Sequence, residues 1–359
     1  MKKETKKYIL YLESDAEFHA GTKATEDCAV TLEKRGYERL RISCDKNKNK
    51  LILNFKKIVK HLKLFRIQKN SILVIQHPQY MRSIYIRLIE NVKKNRKCKI
   101  VCIIHDIESL RQVFKGQEEA YKKMDNLTFE IADILIVHND SMKKYLVEKR
   151  GVCEDKIVVL GLFDYLTDAA SPKSGRKVKK GEGVIVAGNL DRVKSGYVHQ
   201  LVDAGLETRI NLYGVNWIHD HTGEGNWSYK GAFKPEELPA CMEGAFGLVW
   251  DGGSIMTCDG PTGRYVQYNN PHKVSLYAAS GIPIIIWEKA ALADFVVRNN
   301  VGLAVGDLRK LDEAINSITE EAYQDMRDNI LELSEKVRSG FYIQKAIMSA
   351  ENILMQRER

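Results

Sequence analysis

Short apolar runs alternate with longer amphipathic and charged stretches along the first half of the chain. Each run has the length of a buried strand, and each intervening stretch has the length of a helix. Because parallel strands need crossover connections, this alternation predicts βαβ units in a doubly wound α/β domain. The predicted strands cover residues 8–12, 39–42, 71–76, 99–105, 134–138 and 156–160, and the predicted helices include 25–35 and 109–131.

The pattern breaks after Leu162. Residues 167–182 combine Ser-Pro and Ser-Gly pairs with a cluster of lysine and arginine, which is typical of a solvated linker. A second strand series then repeats the architecture, so we predict an N-terminal domain over 1–166 and a C-terminal domain over 183–338. Residues 339–359 hold a last helix, from about 342 to 356, expected to pack back on the first domain. The second strand series is 183–187, 207–212, 246–250, 283–287 and 303–305.

A polar, kinked entry leads into a short helix of small residues near position 275. Pro271 suits a helix start, Gly281 suits the left-handed residue after a helix end, and Pro283 stops continuation. Such a helix start exposes unpaired backbone N–H groups and the positive end of the helix dipole, and His272 and Lys273 stand beside it. The segment therefore predicts a phosphate site.

Composition narrows the class of protein. The 359 residues are 44% hydrophobic and 29% charged, and no apolar run reaches the length of a membrane span, so we expect a soluble, cytoplasmic protein. Seven scattered cysteines without a C-x-x-C pair favour free thiols over disulfides or zinc. The net charge of +9 favours an anionic ligand, an anionic membrane surface or nucleic acid, without choosing among them.

Polar loops follow the predicted strands of both halves, where open α/β sheets bind their ligands. In the second half, Arg192, Lys194 and Lys273 could hold a diphosphate, and Asn189 and Tyr213 could hold a base or ribose. Taken singly, Arg192 and Lys194 are best explained as residues of an exposed basic loop. Because both are expected to converge with Lys273 on the helix start, together they favour a diphosphate site.

The first strand of the chain leads into a loop where Gly21 permits close approach of the backbone and Thr22 can cap a helix. Neither a Walker A sequence nor a G-x-G-x-x-G occurs, which disfavours ATP and NAD chemistry. His105 and Asp106 end another strand, where either could act as a general base. Equally, Asp106 could cap the next helix and His105 could hydrogen-bond to the backbone. For His77, which lies at another strand end, we favour a structural role.

The segments 188–190, 212–214, 268–273 and 279–284, with 21–24 and 105–108, resemble bacterial glycosyltransferases of the two-Rossmann (GT-B) architecture. The chain is most similar to the glucosyltransferases that extend O-linked N-acetylglucosamine on serine-rich repeat adhesins, and to β-1,6-galactofuranosyltransferases. The resemblance covers nearly the whole chain. It implies two Rossmann-like parallel-sheet domains facing a cleft, with the acceptor on the N-terminal side and the nucleotide sugar on the C-terminal side.

The resemblance also implies roles for single residues. Thr22 would approach a uridine diphosphate from the opposite domain, and no metal or further cofactor would be needed because cations and a helix start stabilise the leaving group. No Asp-x-Asp triplet is present to clamp a metal-bound nucleotide. No motif singles out a base among Asp15, His19, His105, Asp106 and Glu108; Asp106 is the first choice, before His105 and Asp15. The uridine diphosphate would be held by Asn189, Arg192, Tyr213, Asn270, His272 and Lys273.

These observations predict a hexosyltransferase. We expect it to move glucose or galactofuranose from a UDP-sugar to a hydroxyl of a sugar on a glycoprotein or cell-surface polysaccharide, with inversion. A nucleotide-sugar epimerase and a non-catalytic partner of a transferase are the alternatives. We expect a homo-oligomer and no nucleic acid. Peripheral contact with the inner face of the membrane is a further hypothesis, although a solvated helical face explains the same lysines, which are Lys56, Lys57, Lys60, Lys63, Lys93 and Lys94, with Arg96.

Overall fold

The computed structural model describes residues 5–13, 20–43, 64–78, 82–114, 116–170, 178–218 and 225–357. The candidate base Asp15, with His19, and the lysines at 56–63 of the membrane hypothesis lie outside these ranges. Within them, no helix combines the length and the apolar character that crossing a bilayer would require.

The first domain is built on a parallel sheet with strand order β2-β1-β3-β4-β5-β6 among the described residues. Its strands coincide closely with the predicted ones, because the central strands are apolar runs buried on both faces. The edge strand β2 instead alternates buried Leu40 and Ile42 with exposed Glu38 and Arg41. The strands are β1 (Lys7–Glu13), β2 (Glu38–Ser43), β3 (Ile72–His77), β4 (Lys99–Ile104), β5 (Ile134–Val137) and β6 (Ile157–Val159). The helices are α1 (Ala20–Lys34), α2 (Arg82–Arg96), α3 (Glu108–Arg111), α4 (Glu118–Ile131) and α5 (Asp140–Arg150).

Two helix predictions in this domain were wrong in their extent. Helix α1 begins at Ala20, so Gly21 and Thr22 lie in its first turn instead of in a loop. The segment predicted as one helix over 109–131 forms two, because the backbone turns left-handed at Gln112, with φ 55°, and at Gly116, with φ 77°. A left-handed residue cannot continue a right-handed helix.

The second domain repeats the plan with the parallel order β12-β11-β10-β7-β8-β9. Strand β9 was not predicted, because its aromatic residues alternate with polar ones, and Trp227 is only partly buried while Tyr229 is exposed. The strands are β7 (Val184–Ala187), β8 (Ile210–Tyr213), β9 (Trp227–Gly231), β10 (Phe246–Val249), β11 (Ile284–Trp287) and β12 (Gly302–Val305). The helices are α6 (Gly196–Val202), α7 (Leu238–Cys241), α8 (Gly260–Tyr265), α9 (His272–Ala279), α10 (Ala293–Arg298), α11 (Leu311–Asn316), α12 (Glu320–Ser339) and α13 (Phe341–Gln356).

The last helix, α13, returns to the first domain and packs on α1, β5 and β6. Its start is held by Asp164 of the interdomain segment, whose carboxylate accepts the N–H groups of Tyr342 and Ile343 over 3.1 and 2.8 Å. Burial raises the pKa of Asp164 to about 7, although these two backbone donors oppose the rise. Helix α13 thus follows the second domain in the chain but covers the core of the first.

Each sheet has one point where the strand order reverses, and ligands of open α/β sheets bind beside such points. In the first sheet this point lies between β1 and β3, and in the second between β7 and β10. The two domains meet over α8, which packs on α3. The fold consists of two parallel α/β domains, as the sequence predicted.

Candidate active site

Three loops meet at the reversal point of the second sheet. Gly188 ends β7 with φ 139°, and a methyl group added there would lie 3.5 Å from Cε of Lys273. The loop after β8 packs against the same glycine, since a methyl group on Gly214 would collide with the carbonyl oxygen of Gly188. The backbone at these two glycines can therefore approach a bound ligand closely.

Lys273 provides the positive charge at this point. It is the second residue of α9, and its ammonium group donates a hydrogen bond of 2.9 Å to the carbonyl oxygen of Trp250, just after β10. The same ammonium lies 5.8 Å from the centre of the Tyr197 ring. A cation fixed beside a helix start and a glycine backbone is suited to an anion such as a phosphate.

Lys194 extends the basic surface across the cleft. Although the residue as a whole is exposed, the pKa of its ammonium is lowered, chiefly because neighbouring protein partly desolvates it. The charges of Asp251 and Asp106 act to raise this pKa, and those of Arg111 and Lys273 act to lower it. Asp106 and Arg111 come from the first domain, so charged groups of both domains face one another here.

Asn189 shapes the loop that follows β7. Its side-chain oxygen accepts the N–H of Asp191 over 2.9 Å and the side-chain amide of Asn216 over 3.1 Å. This joins the loops that follow β7 and β8. Arg192 is exposed at the tip of the first of these loops, where the turn projects from the sheet.

The Tyr213 and Asn270 side chains make their polar contacts within the protein. Tyr213 is buried; its hydroxyl donates to the carbonyl of Cys241 over 3.3 Å and accepts the N–H of Glu243 over 2.9 Å. The Asn270 amide is used between the domains, where it donates to the carbonyls of His138 and Gly161. Because buried polar groups must be paired within the fold, the structure gives both side chains a structural role; their assignment to the uridine diphosphate stays a prediction.

His272 begins α9, but its ring is turned toward Phe163 and Tyr165, near the end of the first domain. Its ring stacks on Tyr165 with centres 5.2 Å apart and meets Phe163 edge-on at 6.2 Å. Burial lowers the pKa of His272 to about 4, and the charge of Lys23 lowers it further. His272 is therefore neutral and packed near pH 7, and its assignment to the uridine diphosphate stays a prediction.

The influence of Lys23 on His272 also relates the starts of α1 and α9 to each other. Lys23 is buried, ion-paired with Asp27, and donates to the carbonyl of Leu166 over 2.5 Å. Thr22 precedes it in the first turn of α1. The charge of Lys23, near the start of α1, thus acts on His272, the first residue of α9.

Asp106, an acidic residue of the first domain, lies near Lys194 of the second. One carboxylate oxygen accepts a hydrogen bond from Arg111 over 3.0 Å, and a quarter of each side chain is exposed. The pKa of Asp106 is raised to about 6, because partial burial outweighs the charge of Arg111. Asp106 can therefore act as a base near neutral pH while remaining open to an incoming hydroxyl.

His105 has a different environment. One ring nitrogen is hydrogen-bonded to Oε1 of Gln76 over 2.8 Å, and the ring stacks on Phe163 at 5.2 Å. Burial, together with the nearby His138 and His272, lowers the pKa of His105 to about 3. The structure thus favours a packing role for His105 over a catalytic one.

Sequence reasoning missed two contributors to this cleft. Arg111 was read only as part of a long helix, and Tyr265 of α8 carried no signal beyond the helix-starting Gly260-Pro261 pair. No pattern along the chain indicates that Tyr265 reaches Ile107 of the other domain, where its hydroxyl accepts an N–H over 2.9 Å. Among the described residues, no group of three histidine, cysteine or acidic side chains is arranged to hold a metal ion.

Comparisons with known proteins agree with this architecture. Residues 6–162 match the N-terminal domain and residues 184–350 the C-terminal domain of the glucosyltransferase 3-like family. The β-1,6-galactofuranosyltransferase WbbI of Escherichia coli is 35% identical over 78% of this chain and 79% of its own. Glucosyltransferase 3 of Streptococcus gordonii is 24% identical over the same shares of the two chains.

Solved structures show the same fold at low sequence identity. Sucrose-phosphate synthase from Thermosynechococcus elongatus superposes with a TM-score of 0.64 at 13% identity, covering 98% of this chain and 100% of that one. An α-glucosyltransferase in complex with UDP gives a TM-score of 0.57 at 14% identity, covering 96% and 99%. This fold is the two-domain GT-B arrangement. The chain belongs to the glucosyltransferase 3-like family and is a hexosyltransferase.

Proposed function

We propose that the chain transfers glucose or galactofuranose from a UDP-sugar to a hydroxyl of a sugar acceptor, with inversion and without a metal ion. The acceptor sugar would belong to a glycoprotein or a cell-surface polysaccharide. The two hexoses are those named for the relatives, a galactofuranosyltransferase and a glucosyltransferase. UDP is the nucleotide named for a structural neighbour.

One observation supports this proposal above all. The Lys273 ammonium lies at the reversal point of the second sheet, beside the start of α9 and against the backbone of Gly188. A diphosphate bound there would receive backbone N–H groups, the helix dipole and a fixed cation together. Asn189 and Arg192 belong to the loop after β7, and Thr22, in the first turn of α1, would contact the diphosphate from the other domain.

The leaving diphosphate accumulates negative charge as the bond to the sugar breaks. Lys273 and Lys194 from one domain and Arg111 from the other supply positive charge around the cleft. Charge that is fixed before the reaction stabilises the transition state without reorganisation. This is the physical basis on which we propose a metal-independent reaction.

Asp106 would take the proton of the attacking hydroxyl. Its carboxylate is partly exposed, lies in the domain opposite the donor loops and has a pKa of about 6, set mainly by partial burial. A base on that side leads to attack opposite the leaving group and therefore to inversion at the anomeric carbon. Asp15 stays a prediction.

Membership of a transferase family disfavours the epimerase alternative, and the pairing of donor-side cations with an acceptor-side base disfavours a non-catalytic partner. It stays a prediction that the protein forms a homo-oligomer, contacts the membrane peripherally and binds no nucleic acid. The domain limits 1–166, 167–182, 183–338 and 339–359 stay predictions too.

The experiment is a screen of UDP-glucose, UDP-galactofuranose and other UDP-sugars for thermal stabilisation, followed by UDP release with a panel of alkyl glycosides. Ligand binding to the folded state raises the melting temperature by mass action. We expect one UDP-sugar to stabilise the protein, UDP release only with an acceptor, and the same rate in EDTA. NMR of the product would report inversion.

Asp106→Asn should slow transfer by about 10²- to 10⁴-fold while UDP still binds, because it removes the base and not the donor site. Asp325→Asn, on an exposed turn of α12, is the matched control and should be fully active. UDP release without acceptor, or no response to any UDP-sugar, would contradict the proposal.

A further inference from the structure

Tyr265 reaches from the second domain into the first. It ends α8 and is only 3% exposed, and its ring packs in the apolar cluster of the first domain with Ile107. Its hydroxyl oxygen accepts the backbone N–H of Ile107 over 2.9 Å. A residue of one domain thus ends directly beside Asp106 of the other.

The hydroxyl has one further bond to make. Because its oxygen accepts from Ile107, its own hydrogen is available to donate, and the carboxylate of Asp106, the residue before Ile107, is the neighbouring acceptor whose pKa Tyr265 acts to lower. Burial, then the nearby charge of Asp106, raises the pKa of Tyr265 well above its ordinary value, so the phenol stays protonated and remains a donor. Asp106 therefore lies between Arg111 of its own domain, which donates to it over 3.0 Å, and Tyr265 of the other domain, which is bonded to the adjacent residue.

We propose that Tyr265 is a positioning residue that holds the Asp106 carboxylate in place from the opposite domain, so that the base is complete only when the domains are in contact. The inference rests on the proposed function, in which Asp106 is the base. A hydrogen bond to a carboxylate fixes its orientation and favours the ionised form that a base requires.

The segment from Asp251 to Gly263 is closely packed, and it connects the loop after β10 to the helix that carries Tyr265. The N–H of Asp251, after β10, is bonded to Sγ of Cys258 over 3.4 Å, and Asp259 accepts the N–H of Gly253 over 2.5 Å. A methyl group on Gly263 would lie 2.6 Å from the carbonyl carbon of Cys258 and 3.0 Å from the carbonyl oxygen of Asp251. Displacement of the loop at Asp251 would therefore move α8 and Tyr265 with it.

The test is Tyr265→Phe, which keeps the buried ring and removes the hydroxyl. Tyr268→Phe is the matched control, because Tyr268 also crosses to the first domain but packs its ring on Tyr145, with centres 5.5 Å apart. The readout is the pH titration of carboxyl carbons in the full chain labelled with [4-¹³C]aspartate, with Asp106→Asn identifying the Asp106 signal. This measurement needs neither donor nor acceptor.

We expect Tyr265→Phe to raise the apparent pKa of the Asp106 signal by about one unit, since a donor to the ionised form is lost. Tyr268→Phe should leave it unchanged. With the UDP-sugar and alkyl glycoside found by the screen, the acid limb of kcat/KM should move upward by the same amount, with KM for the donor unchanged. A merely structural tyrosine would not move that limb.

An unchanged Asp106 titration in Tyr265→Phe, with Asp106→Asn inactive, overturns the positioning role and leaves the proposed function standing. Full activity of Asp106→Asn overturns the base assignment and the positioning role together. Melting temperatures establish that each variant is folded; should Tyr265→Phe fail to fold, Tyr265→Met supplies the same comparison, because it also fills the space without a hydroxyl.

Discussion

The side-chain amide of Asn270, in the second domain, donates a hydrogen bond to the carbonyl oxygen of His138, in the first, over 2.8 Å. The same amide donates to Gly161 and accepts from Asn139, so the three bonds join the two domains at a buried point. The segment that leads to Lys273 is thereby fixed to the first domain at His138 and Asn139, the two residues that follow β5, and at Gly161.

Replacing Asn270 with alanine should lower the free energy of unfolding by roughly 2 to 4 kcal/mol, because it leaves buried partners unpaired. Urea denaturation and the melting temperature measure the change. Asn299→Ala, which removes an exposed bond within a single helix, should cost less than about 0.5 kcal/mol. Equal losses in the two variants would contradict this role of Asn270.

Removal of the Lys273 ammonium should weaken UDP binding. Lys273→Ala is expected to cost roughly 1.5 to 3 kcal/mol, about 10- to 150-fold in Kd, as for a hydrogen bond to a charged group. Calorimetry with UDP measures this. Lys336→Ala changes the net charge equally from an exposed site on α12 and should leave Kd unaltered. An unaltered Kd in Lys273→Ala would remove Lys273 from the donor site.

The two glycine loops should tolerate no side chain. Gly214→Ala should destabilise the protein by several kcal/mol and weaken UDP binding, since the added methyl group collides with the Gly188 carbonyl and φ is 150°. Gly181→Ala is the control, because a methyl group there meets no atom within 4 Å. Melting curves with and without UDP separate the two effects, and a stable Gly214→Ala protein would contradict the loop packing.

His138 should make stability fall in acid. Burial lowers its pKa to about 4, and its Nδ1 accepts the N–H of Asn270 over 2.8 Å. The unfolded chain binds a proton here below its ordinary pKa of about 6.5, whereas the folded chain does not until about pH 4. The stabilisation is therefore complete above pH 6.5 and is lost as the pH falls toward 4.

The measurement is the difference in unfolding free energy between the wild type and His138→Gln, which does not titrate. The unfolding free energy of the wild type, relative to that of His138→Gln, should fall by roughly 1 to 3 kcal/mol from pH 7.5 to pH 4.5. Asp27 and Asp164, whose raised pKa values reflect burial first, act in the opposite direction in both proteins and cancel in the comparison. A difference independent of pH would show that His138 is not held neutral.

Much of the candidate site could be predicted from the sequence, because its loops follow strands that can be recognised. Lys273 and Asn189 stand immediately beside a helix start and a strand end, so local pattern and the topology of a parallel sheet are enough to direct them to one cleft. Asp106 was reached in the same way. Its preference over His105 stays a prediction, and the pKa of Asp106, about 6, suits a base near neutral pH better than that of His105, about 3.

The sequence by itself determined the two parallel-sheet domains, since apolar runs of strand length can be buried only in such layers. Only the tertiary structure decided what each polar side chain near the cleft does. Tyr213, Asn270 and His272 are used in internal packing and hydrogen bonds, while Arg111 and Tyr265 meet at Asp106. These pairings join residues up to 159 positions apart, from Asp106 to Tyr265, and depend on how the domains dock, which no local pattern records.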